Sequence, residues 1–139
     1  PSSPLSVVAR VVGSLAGRSL PHRLIVSPAM AAEHVEVRVE ARGDATVVRV
    51  VGVLDALALP DVSRELTDAQ RGAGPVYIDL HGVTFMDSRG LGSLLAANER
   101  AREGAPPVTI YRPSEAVQRL LDVSGVRGVL PEVEELPAP

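Results

Sequence analysis

Ser88 is the residue of this chain best placed to carry chemistry. It lies in Phe85-Met86-Asp87-Ser88-Arg89-Gly90-Leu91-Gly92, soon after the apolar run Val76–Leu80, so the pattern reads as a buried strand, a short loop and a helix that opens at a serine. A hydroxyl at that place sits in the positive end of the helix dipole, and a phosphate on it would meet free backbone N–H groups. Such a phosphate adds about −1.5 to −2 charges at neutral pH. That is the physics of a switch. A plainer role is also open to each residue: Ser88 as a helix N-cap, Asp87 as an acceptor for loop N–H groups, and Gly90 and Gly92 as sites of close backbone approach.

Catalytic readings of the same stretch fail on spacing. A nucleophile elbow needs glycine two residues before the serine, and position 86 is Met. A dinucleotide fingerprint needs its first glycine in the tight turn after the strand, but Gly90 comes ten residues after Leu80 and the third position of the motif is Leu95. The chain has no lysine for a phosphate loop and no cysteine for a thiolate or a disulfide. His22, His34 and His81 stand more than ten residues apart, so no metal-ligand spacing exists among them. Asp79 and Asp87 are too generic a carboxylate pair to define a glycosidase. The expectation is a binding protein, not an enzyme, with no cofactor and no metal.

Charge and composition narrow the partner. Residues 1–32 carry three arginines and no acid, whereas residues 33–139 carry eleven arginines against seventeen carboxylates. The main body is therefore acidic, which argues against binding a phosphate backbone. Tyr77, Phe85 and Tyr111 are the whole aromatic content, leaving no platform for stacked bases. Direct nucleic-acid binding is not expected. Leu5–Leu20 is too short and too broken by Arg10, Gly13, Gly17 and Arg18 to span a bilayer, so no membrane partner is expected either.

The elements that must position Ser88 follow from periodicity. Val35, Val37 and Val39 alternate with Glu36, Arg38 and Glu40 as a half-exposed strand, and Gly43-Asp44 turns it into Ala45–Val51 as a hairpin. Gly52–Leu59 reads as a loop before a helix entered at Pro60, with Val62, Leu66 and Ala69 on one face and an exit at Gly72 and Gly74. Val76–Leu80 reads as a central strand, and the Leu91, Leu94, Leu95 stripe as the helix after Ser88. Val108–Tyr111 is a further strand. Ser114 caps a third helix with Val117, Leu120 and Leu121 inward, and Val129-Leu130 is placed as an edge strand. This order predicts one α/β domain over residues 33–130, with a mixed, mostly parallel sheet of about four to five strands packed against helices. Residues 1–32 are taken as a disordered or non-native extension, with Met30 as the natural start, and the acidic, proline-containing tail 131–139 is expected to fray.

Gly52-Val-Leu-Asp55, the Val76–Leu80 strand, Val83–Gly92, Pro113–Val117 and Asp122–Gly125 together resemble the STAS domain of bacterial anti-anti-sigma factors, also termed anti-sigma factor antagonists. The resemblance spans about Glu33 to Leu130, and Phe-Met-Asp-Ser-x-Gly-Leu-Gly is its specific part. It implies that Ser88 is the phosphorylated serine, that Asp87 is the acid before it, and that Asp55 matches an acid lying near the phosphorylation site, although as a residue alone Asp55 reads equally as a turn acid. Two positions depart from the family pattern. Val53 stands where the family has glutamate, and Arg89 where it has a small residue, usually Ser or Thr. An arginine there either pairs with a phosphate or obstructs a kinase cleft.

The function implied is a cytoplasmic regulator, a monomer or weak dimer. It holds an anti-sigma factor when unphosphorylated, so freeing a sigma factor, and lets go once that anti-sigma factor, acting as a serine kinase, has phosphorylated Ser88. A separate phosphatase resets the cycle. The partner surface expected is Asp55, Asp87, Ser88, Arg89, Gly90 and Leu91. The alternative is a structural STAS subunit, never phosphorylated, of a stressosome-like or membrane-transport-associated complex.

Overall fold

The valines at 35, 37 and 39 do what alternation requires. They turn toward a core while Glu36, Arg38 and Glu40 take the other side of the strand. The computed structural model describes residues 22–26 and 35–139. In it six strands form a single sheet in the order β1 (His22–Val26), β2 (Val35–Arg42), β3 (Ala45–Leu54), β4 (Val76–Met86), β5 (Val108–Tyr111), β6 (Glu132–Val133). The β1–β2 and β2–β3 pairs are antiparallel, and the β3–β4, β4–β5 and β5–β6 pairs are parallel. Three helices, α1 (Leu59–Ala69), α2 (Ser88–Arg102) and α3 (Glu115–Ser124), fill the connections. The fold is the mixed α/β sheet the periodicities predict.

One face of the sheet carries the core. Val48, Val50, Ile78, Leu80 and Ile110 meet Leu66 of α1, Leu94 of α2 and Leu121 of α3, all almost wholly shielded from solvent. Gln70, just past α1, ties the helices down: its Nε2 donates to the carbonyls of Ala97 (2.9 Å) and Pro106 (3.1 Å), and its Oε1 accepts from Arg100 Nε (2.8 Å). On the opposite face Asp79 is buried at 1% exposure and accepts from Arg49 Nε at 2.8 Å, with Glu40 3.5 Å from the same guanidinium. The hydrogen bond to Asp79 raises the Arg49 pKa, against the opposing effect of its burial. A charged pair thus closes the helix-free face where the core closes the other.

Several elements differ from the sequence expectation. His22–Val26 lies within the stretch read as an extension, yet it pairs along β2 and adds the sixth strand; a chain begun at Met30 would lose it. The rest of 1–32, Met30 included, lies outside the described residues. β3 runs on to Leu54, and β4 does not stop at Leu80 but continues through His81–Met86, because the two strands keep pairing above the point where β5 ends. That upper ladder is irregular, with register shifts between Arg49 and Val51 and between Gly52 and Val53. His81, expected in a loop, is exposed but within the strand. The last strand is Glu132–Val133, not Val129-Leu130, since Leu130 is buried in the core and Pro131 offers its carbonyl to Ile110 N at 2.8 Å.

The acidic tail packs instead of fraying. Arg127 pairs with Glu132 (3.3 Å) and Asp122 (2.9 Å), and Arg42 Nε donates to the Pro137 carbonyl. The final residues reach the β2–β3 turn, where Ala138 O lies 3.3 Å from the place a Cβ on Gly43 would take. No helix among the described residues is long and apolar enough to cross a membrane.

Candidate functional site

β3 and β4 run parallel side by side, with Leu54 opposite Met86, so Asp55 and Asp87 leave the sheet together at the carboxyl ends of neighbouring strands. The Asp87 N–H donates to the Leu54 carbonyl at 3.3 Å, joining the two strand ends directly. Such strand ends are where open α/β sheets place their functional groups.

Asp87, not Ser88, is the N-cap of α2. Its backbone is extended, and its Oδ1 accepts from Arg89 N (2.9 Å) and Gly90 N (3.0 Å). Leu91 N completes the turn on the Asp87 carbonyl at 3.0 Å. Two consequences follow. Ser88 is the first residue of the helix, exposed, and its Oγ makes no hydrogen bond among the described residues. The N–H groups expected to receive a phosphate are already engaged by a carboxylate. The capping role that competed with the switch role for Ser88 therefore belongs to its neighbour.

Gly90 explains itself sterically. A Cβ there would lie 2.4 Å from the Leu54 carbonyl oxygen, 2.9 Å from Leu54 Cγ and 3.0 Å from Met86 Cγ, so only glycine lets α2 descend onto the strand ends. A Cβ on Gly92 would meet nothing within 4 Å. Gly90 is buried and Leu91 is 4% exposed in the core. Both were expected at a partner surface, but their position beneath the junction suits them to holding it rigid. Arg89 is exposed, and its side chain has no hydrogen bond or ion pair among the described residues.

Asp55 is half-buried, with its Oδ1 accepting from Leu57 N (3.0 Å) and Ala58 N (3.4 Å). It organises the turn before α1, whose own cap, Ala58, brings no side-chain acceptor. The structure therefore brings Asp55, Asp87, Ser88 and Arg89 to one end of the sheet. It adds two residues that composition and spacing did not mark, Phe85 and Leu57, each 51% exposed. The signal in the sequence was Phe85 itself, the chain's single phenylalanine, standing two residues before the capping aspartate.

A family model described as "Mlab, STAS domain" matches residues 37–132, and the chain belongs to the STAS domain family. Among curated relatives, the anti-sigma-B factor antagonist of Staphylococcus aureus (strain NCTC 8325 / PS 47) is 29% identical over 84 residues, covering 60% of this chain and 78% of that protein. Among solved structures, an anti-sigma factor antagonist from Mycobacterium paratuberculosis superposes with a TM-score of 0.65 at 23% identity, over 73% of this chain and 87% of that one. The antagonist SpoIIAA in its unphosphorylated form gives a TM-score of 0.59 at 23% identity, over 71% of this chain and 89% of its own. At those identities the structures speak for the fold.

Proposed function

We propose that this protein is an anti-sigma factor antagonist switched by phosphorylation of Ser88. The observation that carries the reading is the state of Ser88: a solvent-exposed hydroxyl without a hydrogen bond among the described residues, on the first turn of a helix whose cap is supplied by another residue. A serine needed for the fold would be engaged. The curated relatives named as anti-sigma-B factor antagonists support the class of partner.

In this reading the unphosphorylated chain binds an anti-sigma factor and so releases a sigma factor. The bound anti-sigma factor is also the serine kinase, and a separate phosphatase restores the hydroxyl. The chain acts in the cytoplasm, as a monomer or weak dimer, and catalyses nothing itself. A phosphate at Ser88 adds about −1.5 to −2 charges beside the carboxylates of Asp87 and Asp55, with Arg89 as the adjacent cation. With the N–H groups of Arg89 and Gly90 held by Asp87, the new charge is left facing outward, toward the partner.

The test is incubation with the cognate anti-sigma factor and ATP, followed by mass spectrometry. Phosphate on Ser88 is expected; phosphate only elsewhere, or none, sinks the reading. Titration calorimetry then compares variants, with Ser88→Asp weakening the complex and Ser88→Ala binding constitutively.

A further inference from the structure

Four large apolar side chains stand well exposed among the described residues: Leu57 (51%), Phe85 (51%), Val123 (79%) and Val129 (48%). Val123 and Val129 sit at the exit of α3. Leu57 and Phe85 do not: they lie at the ends of β3 and β4, within two residues of Asp55 and Asp87 respectively. Leu54 and Met86 turn into the core, so their predecessors Val53 and Phe85, paired in register, emerge together on the helix-free face. An aromatic ring held half out of a rigid strand end, beside an aliphatic neighbour and ringed by polar groups, has the make-up of a binding hot spot.

We propose that Phe85, paired in register with Val53, is the apolar anchor by which the Ser88 surface docks onto a folded partner protein, supplying affinity while the charge at Ser88 supplies the switch. The inference rests on the antagonist reading above and names the chemistry of its partner face: an apolar pocket edged by N–H or cationic donors. The donors are required because Oδ1 of Asp55 and of Asp87 is used internally, while Oδ2 of each accepts no hydrogen bond from the described residues. The same two carboxylates argue against other occupants. An anionic lipid surface would be repelled by them, and a second copy docked about a two-fold axis would set the acids of one against those of the other.

The experiment measures binding of the full-length chain to each anti-sigma factor of its own genome, purified singly, by titration calorimetry. Phe85→Ser is expected to weaken the complex at least about 30-fold, the loss a buried aromatic anchor carries. Phe85→Leu should keep most of the affinity, and Val123→Ser, removing a still more exposed apolar side chain elsewhere, should change nothing. The melting temperature of each variant, all at exposed positions, should stay near that of the wild type. Wild-type affinity in Phe85→Ser together with loss in Ser88→Asp overturns the anchor and leaves the antagonist reading standing. Unchanged affinity in both, or a panel in which no member binds the wild-type chain, overturns the two together. Sedimentation showing a dimer that Phe85→Ser dissociates, or Phe85-dependent binding to phosphatidylglycerol vesicles, reassigns the patch and also overturns the proposal.

Discussion

Two parallel neighbours, β3 and β4, each end on an aspartate that turns its Oδ1 onto the N–H groups ahead of it. From there they part. After β4, Asp87 is itself the cap of α2, Ser88 is already helical, and Gly90 lies against the Leu54 carbonyl. After β3, Asp55 only organises a turn, Ala58 caps α1 without a side chain, and Leu57 is left outside. The short junction fixes its residues to within one helical turn of the sheet, whereas the longer one leaves an apolar side chain to adapt. A charge that must appear at a defined place belongs on the first, and a contact that must fit a partner can tolerate the second.

The largest effect expected from breaking this contrast is at Gly90. Gly90→Val puts a branched side chain into the Leu54 carbonyl and should cost roughly 3 kcal/mol or more by overpacking, read as a drop in the urea midpoint. Gly92→Ala, two residues on and facing open space, should instead gain about 0.5–1 kcal/mol from helix propensity. Equal losses at both positions would mean that α2 does not need its close approach to the strand ends.

Next come the two aspartates. Asp87→Ala removes a true N-cap and should cost about 1–2 kcal/mol in chemical denaturation. Asp55→Ala frees the N–H of the exposed Leu57 to water and leaves that of Ala58 on the Asp55 carbonyl at 3.1 Å, and should cost about 0.5–1 kcal/mol. A reversed ranking would show that the β3–α1 turn, and not the β4–α2 junction, is the rigid part.

The smallest effect is at Ser88 itself. Ser88→Ala should leave stability within about 0.5 kcal/mol, as for a surface side chain without partners. Phosphorylated and unphosphorylated forms should differ in amide chemical shifts only around Asp55 and Asp87–Leu91, with melting temperatures nearly equal. Shift changes spreading through Val108–Tyr111 and Val117–Leu121 would replace release by surface charge with a conformational mechanism.

Particular residues show how far the sequence could be read. Alternation in Val35–Glu40 and the Gly43-Asp44 turn are local, and the hairpin formed there. Ser114 was legible as a cap because its signal lies within one turn, and its hydroxyl accepts from Val117 N at 3.3 Å. The upper half of β4 was not legible, since Gly82 breaks the apolar run and only pairing with β3 makes strand of His81–Met86. Nor was the tail, whose proline-rich acidic sequence predicts disorder until Arg127 and Arg42 are placed within reach of it. Asp87 and Ser88 are both good caps; which one serves depends on where the strand ends, and that is set by the ladder.

By itself the sequence determined the α/β order, the core faces of the helices, the absence of lysine and cysteine chemistry, and Ser88 as the residue to watch, because periodicity and residue type act over a few positions. The tertiary structure alone decided that Asp87 caps the helix and leaves the Ser88 hydroxyl free, that Leu91 faces the core, and that Phe85 stands out beside two acids. Those outcomes depend on the parallel register of β3 and β4, which pairs Leu54 with Met86 across a stretch of chain that no local pattern relates.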